Sequence, residues 1–257
     1  MKATISVALP VLLAALTSLG CEKSASDAKE PTSSVDALAS DAHKSSDAHK
    51  SNSDAEQGSS AKQAAQAEPK QEAQLARAEI GKAAPDFSLQ DLEGKQVRLA
   101  DFKGKTVVLE WFNPGCPFVK LSHTEGSLKG LAKERSKAGV VWLAINSGAE
   151  GRQGASVEEN KQGAQAFGID YPILLDREGT VGKAYGATNT PHMFVIDPEG
   201  RLVYGGAIDN SPDGEGKSPT DGKLVNYVAQ ALDELAAGKP VSVPETKAYG
   251  CSVKYKS

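Results

Sequence analysis

Apolar positions divide this chain into two unlike parts. Residues 22–78 are mostly Ala, Ser, Lys, Asp, Glu and Gln, with no aromatic residue and almost no branched aliphatics. From residue 79 onward, short β-branched runs alternate with helix-period segments, and Gly and Pro punctuate them. Residues 87–89 and 97–99 flank Asp91-Leu92-Glu93-Gly94-Lys95, a hairpin signal. The run 107–112 is almost unbroken in apolarity, as in a strand covered on both faces. Residues 117–138 predict a helix with Leu121, Leu128 and Leu131 inward and Gly139 at its end; 140–145 predicts another buried strand.

A Gly/Ser loop, a helix over 157–167 stopped by Gly168, a strand over 172–176 and a short helix over 181–185 follow. Strands 192–197 and 202–206 flank Pro198-Glu199-Gly200 as an antiparallel hairpin, and 210–219 is a loop. The last helix spans 224–235, with Leu224, Val228, Ala231, Leu232 and Leu235 on one face. Residues 241–257 read as an extended tail carrying Cys251.

Composition sharpens the division. Segment 22–78 has too little apolar surface to offset chain entropy, so it reads as a disordered tether. Its duplication, Ser40-Asp41-Ala42-His43-Lys44-Ser45 followed by the same six residues, is low-complexity spacer. Residues 79–257 are of single-domain length. A net charge of −4 without a basic stripe gives no footprint for nucleic acid. At the start, Lys2, a short apolar run and Ser18-Leu19-Gly20-Cys21 form a targeting pattern over residues 1–21. It resembles a bacterial lipoprotein signal, which implies a lipid on Cys21 and a place on the periplasmic side of the cell envelope; Ser18 stands where leucine is usual, and plain secretion with Cys21 incidental to the cleavage region is the alternative.

Cys21, Cys116 and Cys251 are the only cysteines, too few and too scattered for a disulfide scaffold or a cysteine-rich zinc site. Cys116 follows Asn113-Pro114-Gly115 and precedes Pro117, a residue suited to the first position of a helix. A sulfur there faces free N–H groups and the positive end of the helix dipole, which suits a thiolate nucleophile, while an inert buried cysteine is the plainer alternative. Glu110 is a charge inside an apolar strand and needs a partner or a proton.

The order of elements, the Trp111…Cys116-Pro117 junction, Thr190-Pro191 before a late strand and the opening Ala84-Pro85-Asp86-Phe87-Ser88-Leu89 together resemble the thioredoxin-like superfamily. The leading hairpin and the insert over 157–176 resemble its redoxin, peroxiredoxin-like branch. The resemblance implies an α/β thioredoxin-like fold: a central mixed sheet flanked by helices, with an N-terminal hairpin and a C-terminal tail. It also implies a thiol-based oxidoreductase with no bound cofactor or metal, exchanging with a thiol/disulfide protein partner or reducing a peroxide. Pro117, Thr190 and a cis Pro191 would shape the substrate cleft, and Glu110 would stand where thioredoxins keep a buried acid that exchanges protons with the second thiol. A salt-bridged Glu110 is the alternative.

There are departures. Thioredoxins have a second cysteine where this chain has Val119. Peroxiredoxins have Thr or Ser, Pro and Arg where this chain has Asn113, Leu109 and Pro191. Cys251, between Tyr249 and Tyr255, is the candidate for the missing resolving thiol, against the reading of a stray cysteine on a tail. His192 is a candidate base or metal ligand, against a plain strand histidine; His123 reads as structural. A redox-silent or metal-delivery binding module of the same fold is the further alternative.

Overall fold

The computed structural model describes residues 75–257. The signal, Cys21 and nearly all of the tether lie outside the described residues. Packing begins slightly before the expected boundary: Leu75 and Ala78 lie against the core, and the Ala78 amide donates to Ala184 O at 2.9 Å.

Among the described residues nine strands form, seven of them in one mixed sheet. They are β1 (Ser88–Asp91), β2 (Gln96–Arg98), β3 (Val107–Trp111), β4 (Val141–Asn146), β5 (Ile173–Leu175), β6 (Asn189–Thr190), β7 (His192–Ile196), β8 (Leu202–Gly206) and β9 (Cys251–Ser252). The large sheet runs β2-β1-β5-β4-β3-β7-β8, and β6 pairs with β9 separately. The parallel pairs β3/β4 and β4/β5 are central, as the all-apolar runs require, and antiparallel strands form both margins.

All five residues of β3 are buried. Their alternation serves two cores. Val107, Leu109 and Trp111 join Leu143, Ile145, Tyr185 and Phe194 on one face. Val108 joins Trp142, Met193, Val195, Tyr204 and Leu232 on the other. Each fully buried aliphatic or aromatic side chain contributes on the order of 1.5–3 kcal/mol.

The helices are α1 (Pro117–Thr124), α2 (Leu131–Ser136), α3 (Val157–Phe167), α4 (Thr180–Tyr185) and α5 (Tyr227–Ala236). The segment 117–138 is therefore two helices and not one. Gly126 packs so closely under the Gly214 carbonyl that a Cβ would collide with it, and Gly130 enters α2 with φ 72°. Both break the ladder. Leu121 is only half-buried, and the inward side chains of α1 are Val119, Ser122 and His123. Helix α5 starts at an Asn226 cap, which leaves Leu224 exposed. Helix α3 has the expected bounds because Ser156 and Glu159 form a reciprocal capping box.

Gly163 places α3 directly against Pro114 of the cysteine turn, where a Cβ would strike the proline ring. Gly163→Ala should therefore lower the unfolding free energy by about 1–3 kcal/mol despite the better helix propensity of alanine. Urea unfolding of the variant measures this, and an unchanged midpoint would refute the contact.

Candidate active site

Strand β3 ends at a turn held by its own side chains. Asn113 Oδ1 accepts from Gly115 N at 2.8 Å, and Asn113 Nδ2 donates to Gln153 O at 3.0 Å. The Cys116 amide donates to Asn113 O at 3.0 Å. Cys116 then caps α1 with extended backbone, and Pro117 takes the first helical position. Its sulfur is almost fully buried, with 2% exposure, among Phe112, Val119, Ala144 and Ile173.

Two groups cover that sulfur. The Cys116 thiol donates to Thr190 O at 3.0 Å, and Cys251 Sγ lies 2.7 Å from Cys116 Sγ; both cysteines are free thiols. The Thr190–Pro191 bond is cis, as the resemblance implied. Strand β9 brings Cys251 there by pairing antiparallel with β6, Thr190 opposite Cys251 and Asn189 opposite Ser252.

The tail is fastened on both sides of Cys251. Tyr249 packs on Phe118 and donates to Asp209 Oδ1 at 2.9 Å. Tyr255 donates to Ala187 O at 2.8 Å, and Lys183 Nζ lies 5.8 Å from its ring centre. Between them, Val253 N donates to Thr188 O at 3.0 Å, and Lys254 O accepts from Ala149 N at 2.8 Å. Each such bond contributes about 0.5–1.5 kcal/mol net. Gly250, at φ 106°, crosses so close to Thr190 O that no Cβ would fit.

Burial, and then the thiol contact with Cys116, push the Cys251 thiol up to about 11; Lys254 and the Phe118 amide pull weakly the other way.

Glu110 is fully buried but satisfied. Its Oε1 is 2.7 Å from His123 Nε2, while Oε2 accepts from Trp142 Nε1 at 3.2 Å and from Tyr171 OH at 2.9 Å. Burial, and then the Glu110 charge, hold the Tyr171 phenol well above its ordinary value, so it remains a donor. Among the described residues, no hydrogen bond joins Glu110 to either cysteine. Where proton exchange with the second thiol was expected, the geometry presents an internal brace across β3, α1 and β4. His192 likewise faces elsewhere: its ring stacks on Phe194 at 4.5 Å, Nδ1 accepts from Thr188 N at 3.3 Å, and burial pushes its pKa down to about 4.

A profile of the Redoxin family matches residues 79–224. The chain belongs to the redoxin family. The thiol-disulfide oxidoreductase ResA of Geobacillus thermodenitrificans is 36% identical over 123 residues, covering 48% of this chain and 66% of that protein. Its Bacillus subtilis counterpart is 31% identical over 123 residues, 48% of this chain and 64% of that one. The aligned part thus spans slightly under two thirds of these curated relatives. Among solved structures, an uncharacterized conserved protein from Geobacillus kaustophilus superposes with TM-score 0.60 and 35% identity, covering 69% of this chain and 93% of that one. The thioredoxin-like α/β fold expected from the sequence is the fold found.

The second sulfur of the site does not come from α1. Val119, one turn into α1, is fully buried and apolar, and the sulfur beside Cys116 comes from 135 residues away in sequence. The braces at Asn113, Tyr171 and Trp142 escaped sequence reasoning; the signal for Asn113 was a polar residue directly after the apolar run, as one inside the run was for Glu110.

Removing the carboxylate by Glu110→Ala strands three buried donors or partners, so the fold should lose about 3–5 kcal/mol in urea unfolding; a loss below about 1 kcal/mol would contradict the brace. Because the folded Cys251 thiol ionises near 11 and an ordinary one near 9.0, its alkylation rate in wild-type protein should still rise steeply between pH 9 and pH 10. The same sign means that this group takes stability away as pH rises above 9, since the unfolded chain then releases the proton first. A rate that levels off by pH 10, as for an ordinary thiol, would rule out the shift.

Proposed function

We propose that this chain is a thiol–disulfide oxidoreductase whose working pair is Cys116 and Cys251. The observation that carries the proposal is the 2.7 Å approach of the two sulfurs across the cis-proline edge. Cys116, as thiolate, attacks one sulfur of a partner disulfide; that S–S bond breaks and a partner thiolate leaves with its electron pair. The Cys251 sulfur then attacks the Cys116 side of the mixed disulfide. An intramolecular Cys116–Cys251 bond forms, the second partner sulfur leaves, and it takes the Cys251 proton. Two electrons pass from the chain to the partner, and no bound cofactor is needed. The kinship with ResA-type oxidoreductases supports the reaction class. An oxidising compartment outside a membrane, reached through a lipid on Cys21, is the setting that suits such a pair.

Peroxide reduction is the second reading, and one observation favours it. Thr190, whose carbonyl touches Cys116, also carries a buried hydroxyl with no hydrogen-bond partner, a donor of the kind a departing peroxide oxygen needs. In that case Cys116 becomes a sulfenic acid, one oxygen leaves as water, and Cys251 condenses with it to the same disulfide.

Insulin-disulfide reduction and hydrogen peroxide consumption separate the two. Cys116→Ser should reduce the active rate by on the order of a thousandfold or more. Cys251→Ser should stall the cycle at a mixed disulfide or sulfenate, seen as a mass increase on Cys116. Two free thiols after full oxidation, mapped by mass spectrometry, would overturn the pairing.

A further inference from the structure

The two sulfurs of the pair differ sharply in what can reach them. Cys116 has 2% exposure and is closed in by Phe112, Val119, Ala144 and Ile173, by Thr190 O and by β9 itself. Cys251 is only half-buried. The edge of β6, where an extended peptide would otherwise pair, is already occupied by β9. The tail is held there on both flanks, by Tyr249 on Asp209 and by Tyr255 on Ala187. With the tail docked, an incoming nucleophile therefore meets Cys251 first.

Resting on the pairing proposed above, we propose that a reducing partner's thiol enters at Cys251, so that the mixed disulfide is carried by the tail strand. The step balances. The partner thiolate attacks Cys251 Sγ, the Cys116–Cys251 bond breaks, and Cys116 leaves with the electron pair as a thiolate at the start of α1. The leaving position suits an anion, because Cys116 is the N-cap of α1, at the positive end of the helix dipole. A second thiol of the partner then attacks the partner's own sulfur in the mixed disulfide. The partner becomes a disulfide, and Cys251 is released and protonated. The partner class is thus a dithiol, protein or small molecule, approaching the outer side of β9, where Lys254 favours an incoming thiolate over a neutral thiol. Electrons enter at one sulfur and leave from the other.

Glutathione is the probe. The full chain is oxidised with diamide, mixed with glutathione and quenched in acid at successive short times. Free thiols are then alkylated in denaturant and the peptides mapped. Extrapolated to zero time, glutathione should sit on Cys251 about tenfold more often than on Cys116. An equal or reversed ratio overturns the proposal while leaving the disulfide pair intact. Absence of an intramolecular disulfide after diamide overturns the pairing, and this proposal with it. In the Tyr255→Ala chain, which loosens one flank of the tail, the ratio should fall toward parity. A ratio unmoved by that change shows that burial under the tail does not select the sulfur, and overturns the argument.

Discussion

The antiparallel pairing of β9 with β6 is the contact on which the site depends. It places Cys251 opposite Thr190, and Thr190 is the residue whose carbonyl takes the Cys116 thiol hydrogen bond. Remove that register and Cys116 is a single thiol on a helix cap. A one-residue slip would point Cys251 to the other side of the strand. The register is held by contacts outside the two-residue strand: Tyr249 against Phe118, Gly250 under Thr190 O, and Tyr255 over α4.

On the other side of the sulfur the site is rigid for a different reason. The cysteine turn is locked through Asn113 to Gln153 and through Pro114 to Gly163, so the segments around α3 hold it as well as β3. Beneath it, Glu110 ties β3 to α1 through His123, to β4 through Trp142 and to the approach to β5 through Tyr171. A buried carboxylate is costly alone and tolerable when every partner is present. The same brace that fixes the last turn of α1 through His123 also makes the network intolerant of losing any one member.

In a two-cysteine turn both thiols ride on one helix and stay together whatever the rest of the chain does. Here Val119 fills that helix position with packing, and the second thiol sits on a separate segment. The pair therefore exists only as long as the tail stays docked, and docking also closes the edge beside the cis proline. The meeting of the two sulfurs and access to the first of them are coupled through one strand.

Legible in the sequence alone were the positions of the seven strands of the main sheet, the buried nature of β3 and β4, the bounds of α3 and the junction that puts Cys116 on a helix cap. Those follow from local rules, namely side-chain period, capping residues and turn chemistry, which act over a few residues. It read 117–138 as one helix because the signal against it, a close approach between Gly126 and Gly214, joins residues far apart in the chain. Glu110 was legible as an anomaly, but not its partners, which come from three separate elements. Cys251 was legible as a candidate, and the tyrosines around it as a sign of packing. That it meets Cys116 emerges only in the folded chain, because a two-residue strand has no pattern of its own and its register comes from the surface it lands on.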